Sequence, residues 1–157
     1  ARHHFCVYDP TSRGIFTGDT FGLSYPPLTT ANGPFICPTT TPVQFDPPAL
    51  KASIRKLLAL APQRIYLTHY GMVENPQPLG ERLLTMVDDY VALAETVAPT
   101  RDTEVLEKAL MTAMGEYLFR CAREHGCDMS DEQLQAVLGL DIQLNSQGLA
   151  VWLQTRH

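Results

Sequence analysis

Seven prolines fall between Thr20 and Pro48, at Pro26, Pro27, Pro34, Pro38, Pro42, Pro47 and Pro48. Each fixes its own φ, removes a backbone donor and pushes its predecessor toward extended conformations, so regular structure is disfavoured across most of that stretch. The chain is thereby divided into a segment of short apolar runs before the prolines and a segment of helical spacing after them. The intervening loop, Leu23 to Pro48, is long enough to be of the kind that borders a site.

Before the loop, Phe5 to Tyr8 and Gly14 to Thr17 are apolar and aromatic or β-branched, and Asp9 to Gly14 is rich in turn formers. That pattern predicts an antiparallel hairpin. After the loop, Asp46 and Pro47 form an N-cap and N1 pair, and Leu50, Ile54, Leu57, Leu58 and Ala61 recur at helical spacing. One face of this helix is expected to lie on the sheet. Ile65 to Leu67 is short enough for a buried strand, so helix and strand close a β-α-β unit on a sheet of about three strands.

Beyond Pro78, Leu79, Leu83, Leu84, Val87, Tyr90, Val91 and Ala94 describe one helix. Val105, Leu106, Ala109, Leu110, Ala113, Met114, Tyr117 and Leu118 describe another, ended by Gly126. Ser130 and Gln133 fit a capping box for a third, closed at Gly139, with a last turn at Leu149 to Leu153. Met111, Met114 and the tail leucines read as helix-packing core. The order of elements, strands first and helices last, divides the chain into residues 1–78 and a helical extension, 79–157.

A chain of 157 residues suits one domain, large enough to remove about two-thirds of the unfolded surface from water. Twelve basic against seventeen acidic residues give a net charge of −5, and no Lys/Arg-rich run is present. This argues against nucleic acid or anionic membrane as a partner, since both require a concentrated basic surface. No apolar stretch approaches the roughly 18 residues of a membrane span, and no secretory leader pattern opens the sequence, so the expectation is a cytoplasmic protein. Cys6, Cys37, Cys121 and Cys127 contain no Cys-x-x-Cys pair and read as reduced structural thiols. Cys121 and Cys127 flank His125 at a spacing that fits no standard zinc pattern. Asp88, Asp89, Glu104 and Glu107 are expected on solvated helix faces.

Two residues stand out chemically. Asp19 follows Gly18 just beyond the run Gly14-Ile-Phe-Thr, and His69 follows the run Arg64-Ile-Tyr-Leu-Thr, so each is delivered at the tip of a strand. A carboxylate can bridge two cations, and a neutral imidazole is a common ligand for Zn, Fe and Mn. Both side chains are therefore candidate metal ligands.

Taken in order, His-His-Phe-Cys-Val-Tyr from His3, Phe-Thr-Gly-Asp-Thr-Phe around Asp19, a helix, and Tyr-Leu-Thr-His-Tyr-Gly around His69 resemble the C-terminal half of a metallo-β-lactamase-superfamily hydrolase of the glyoxalase II-like branch. The resemblance covers about the first 75 residues, the helical tail only loosely. It implies an α/β fold, the second half of an αββα sandwich with a helical extension. It further implies that Asp19 bridges two divalent ions, zinc first with iron or manganese as alternatives, and that His69 binds the second of them. Thr68 or Tyr70 would support these ligands from behind.

The family's His-x-His-x-Asp-His signature has no counterpart here, and its next histidine ligand would fall immediately before Ala1. His3 and His4 then lie a few positions past that ligand, as supporting or packing residues. The resemblance thus implies a missing N-terminal half as partner, without which the chain is inactive. With it, a metal-activated hydroxide would attack a small-molecule thioester, ester or lactone. Two alternatives stand beside this: an iron-dependent oxidoreductase on the same fold, and a non-catalytic module forming a homodimer through its helices.

Overall fold

The computed structural model describes residues 5–40, 45–97 and 102–156. Among them the protein is a mixed α/β structure, a four-stranded sheet combined with four α-helices. His3 and His4 lie outside the described residues.

Strands β1 (Val7–Asp9) and β2 (Gly14–Phe16) form the expected hairpin, shifted by two residues at its start. Asp9 closes its turn by accepting hydrogen bonds from the backbone of Thr11 and Ser12. Strand β3 (Arg64–Tyr66) pairs parallel with β2, and β4 (Met72–Glu74) pairs antiparallel with β3, giving the order β1-β2-β3-β4. The fourth strand corrects the expected three. Like the others it is three residues long, but Met72 and Val73 are its only apolar residues, enclosed by Gly71 and Asn75 at positive φ, so no apolar run marks it.

Between β2 and β3 runs α1 (Pro47–Ala59), whose N-cap Asp46 accepts from the backbone of Ala49 as its sequence position predicts. Leu50, Ile54, Leu57 and Leu58 on its inner face join Ile15, Ile65 and Val73 of the sheet in one core. Helix α2 (Pro76–Val97) starts three residues earlier than expected, because Pro76 and Pro78 sit in a first turn whose N–H groups need no intrahelical partner. It gives Leu83 and Val87 to the sheet core, and Met86, Tyr90 and Ala94 to a second core.

That second core is built with α3 (Thr103–Glu124) and α4 (Asp131–Thr155). The capping box at Ser130 and Gln133 is present, but α4 runs through Gly139 to Thr155, which corrects the expected stop and separate last turn. A single glycine costs a helix only about 1 kcal/mol, less than the buried contacts of Leu138, Ile142 and Leu149 return. Met111 is exposed rather than in the core, whereas Met114 is fully buried.

Over its described residues 23–40 the proline-rich loop lacks long elements, yet it is packed inside the molecule. It makes a 3-10 turn at Pro26–Leu28 and a backbone pairing of Leu23 with Cys37, and buries Leu28, Phe35, Ile36 and Cys37 completely. His125, Nε2 2.9 Å from the Gly33 carbonyl, donates to this loop, and Thr30 and Asn32 donate back to the His125 carbonyl. That clasp explains the polar cluster near Cys121 and Cys127 structurally; all four cysteines are free. Asp88 is exposed and pairs with Lys51. Asp89 departs from expectation by accepting a 2.7 Å hydrogen bond from Tyr117, which ties α2 to α3.

Candidate functional site

Parallel pairing of β2 with β3 aligns Phe16 with Tyr66. Asp19 lies three residues beyond the first and His69 three residues beyond the second, so matched offsets bring both to the same sheet edge. Thr17 locks the strand ends together by donating its N–H to the Tyr66 carbonyl at 3.2 Å. Gly18 then takes φ of 54° and starts the 3-10 turn Gly18–Phe21, closed by Gly22 N–H on the Asp19 carbonyl. On the other side, Leu67 N–H donates to the Gly71 carbonyl at 2.9 Å, closing a tight loop with Tyr70 and Gly71 both at positive φ and His69 at its tip.

The two candidate ligands named by the sequence are thereby brought together. His69 Nε2 lies 3.8 Å from Asp19 Oδ1, too far for a direct hydrogen bond and within the span that two ligands of one cation take. Asp19 Oδ1 is buried and has no hydrogen-bond partner. A carboxylate oxygen so placed calls for a cation or a donor from a bound molecule. A metal ion fits this pair chemically, as half of one coordination shell. The described residues contain no cluster of three or more His, Cys, Asp or Glu arranged to hold an ion.

Asp19 and His69 open onto a cavity of about 310 Å³, a size suited to a small molecule. The loop lines it with Leu23 and Tyr25, the turn after β3 with Tyr70, and α4 with Leu140, Asp141 and Asn145. Asp141 is 7% exposed and accepts a short hydrogen bond from the Tyr25 hydroxyl. Burial pushes the Asp141 carboxyl above the usual carboxylate range, opposed by that hydrogen bond and by nearby His69. The Tyr25 hydroxyl is pushed well up by burial and by the Asp141 carboxylate it faces.

Asp141 and Tyr25 are absent from the sequence-based candidates. The available signal was polar residues, Asp141, Asn145 and Ser146, recurring with Leu138, Ile142 and Leu149 on one helical face; it is visible only if the helix continues past Gly139. Comparison with family models, curated proteins and solved structures returned no match.

Proposed function

We propose that this chain carries part of the metal centre of a hydrolase of the metallo-β-lactamase kind, acting on a small-molecule thioester, ester or lactone. The observation that carries the reading is the Asp19–His69 pair: equal offsets from a parallel register, 3.8 Å apart, with one carboxylate oxygen buried and unsatisfied. Residues 1–78 would correspond to half of an αββα sandwich and residues 79–157 to its helical extension.

Divalent ions, when bound, supply Lewis acidity toward a carbonyl and lower the pKa of water. Asp19 would hold the ions through its free oxygen and His69 would complete one coordination sphere. Catalytic zinc takes about three protein ligands per ion, so two donors call for further ligands from residues beyond those described. The other face of the sheet supports the same arrangement. Val7, Phe16, Tyr66 and Met72 stand in register across all four strands on the side away from α1, with Val7, Phe16 and Met72 about half exposed. An apolar row of that kind suits coverage by a second sheet.

The test is a zinc titration of the purified chain followed by the NMR signals of the His69 ring. Weak but saturable binding, as two protein donors give without further ligands, that is abolished in both Asp19→Ala and His69→Ala is the expected result. Zinc binding unchanged in both variants, or no zinc-dependent shift of the His69 ring, overturns the reading.

A further inference from the structure

The cavity beside Asp19 and His69 has a one-sided polar chemistry. Asn145 is committed, its Oδ1 accepting from Thr40 N–H at 2.7 Å and its Nδ2 donating to the Pro38 carbonyl. Thr40 donates its hydroxyl to the Asn145 carbonyl at 2.9 Å, and Thr39 turns its hydroxyl to the Asp19 carbonyl at 3.4 Å. The Tyr25 hydroxyl proton is given to Asp141. With Asp19 and His69 assigned to a metal, the strongest polar group left for a ligand is the Asp141 carboxylate, more than nine-tenths buried.

No Lys or Arg lines the cavity among the described residues. A ligand carboxylate or phosphate entering beside Asp141 would therefore meet a buried carboxylate and no lysine or arginine. The opposite charge is provided for. Next to Asp141, the rings of Tyr25 and Tyr70 stand 4.4 Å apart between centroids, tilted by 35°, and Tyr70 is 54% exposed. A buried carboxylate beside a tyrosine pair, with the Tyr70 ring half exposed, is a combination that attracts an ammonium group, through a charge-assisted hydrogen bond and cation–π contact with the open side of Tyr70.

We propose that the cavity takes a small ligand bearing a cationic amine, held at the α4 end by Asp141 and the rings of Tyr25 and Tyr70. Leu23, Leu140 and Leu144 contact the apolar body between the amine and the end at Asp19 and His69. Identifying this ligand as a substrate rests on the metallohydrolase reading; the amine contact itself does not. On that reading the substrate is an amino-bearing thioester, ester or lactone, with its carbonyl directed to Asp19 and His69.

The experiment uses three probes of similar size, 2-phenylethylamine, 2-phenylethanol and 3-phenylpropanoate, each titrated into the full chain and followed by NMR. The amine is expected to bind about tenfold more tightly than the alcohol, the worth of one charge-assisted contact, and the carboxylate not to bind. Asp141→Asn should abolish the preference for the amine and leave the alcohol unchanged. Tyr70→Leu, at a half-exposed position, should weaken the amine more than the alcohol in folded protein. Carboxylate or alcohol binding as tight as the amine, or an amine preference that survives Asp141→Asn in folded protein, overturns the proposal. Zinc titration of the same samples reads the metal pair separately. Amine selectivity without zinc binding removes the metallohydrolase reading alone, and zinc binding without amine selectivity removes the amine site alone.

Discussion

Cys37 has no solvent exposure, and desolvation pushes its thiol far above the usual range. Tyr25, Tyr90 and Tyr117 are raised in the same direction, chiefly by burial. These groups stay protonated in the folded protein at pH values where the unfolded chain has begun to release its protons. The unfolded state therefore binds fewer protons at alkaline pH, and stability, full below about pH 9, falls as pH rises beyond it. Cys37 alone is expected to remove about 1 kcal/mol between pH 8 and pH 10. Urea denaturation at the two pH values checks this, and Cys37→Ala should shrink the difference whatever its effect on stability at pH 8. At this same scale the sequence was informative where a side chain's placement follows from its strand: Asp19 and His69 each trail a legible apolar run. Asp141 was hidden because its environment comes from a loop 116 residues away.

Helix α4 illustrates how a glycine is read differently by local and tertiary rules. Gly139 suggested a stop, yet it sits inside the helix, where an added Cβ meets only the movable end of Gln135 at 2.6 Å. Gly139→Ala should therefore stabilise the protein by roughly 0.5–1 kcal/mol, the helix-propensity difference. Gly148 lies two turns on, and there a Cβ would run into the backbone carbonyl of Thr40 in the proline-rich loop. Gly148→Ala should destabilise by about 1–3 kcal/mol despite the same gain in propensity, because a close backbone contact must open. Urea denaturation of the two variants reads both signs. The elements legible in the sequence were those with a cap and a repeating apolar face, as at Asp46 and Ser130. Strand β4 and the buried course of residues 20–40 were not, since one holds only two adjacent apolar residues and the other is ordered by contacts with helices that follow it in sequence.

At the scale of the whole molecule, one face of the sheet is closed and the other is open. The row Ile15, Ile65 and Val73 is buried against α1 and α2, while the next row in register, Val7, Phe16, Tyr66 and Met72, faces outward with Phe16 stacked on Tyr66 at 4.5 Å. The row beyond, Asp9, Gly14, Arg64 and Glu74, is polar and carries an Arg64–Glu74 ion pair. The apolar row is thus the one nearest the strand ends that lead to Asp19 and His69. A layer seated on it would lie beside the edge that carries those two residues, so on the metallohydrolase reading proposed above one layer would both cover the face and supply the further donors. Left uncovered, the same row should drive association of the chain with itself, as half-exposed aromatic and aliphatic rows on a sheet do. Sedimentation velocity over a concentration series is expected to show association that grows with concentration, and Phe16→Lys should suppress it at a cost of about 1 kcal/mol in unfolding free energy for the lost stacking on Tyr66. A chain that stays monomeric throughout the series would show that the row does not act as an association surface, and would withdraw its support for a second sheet there.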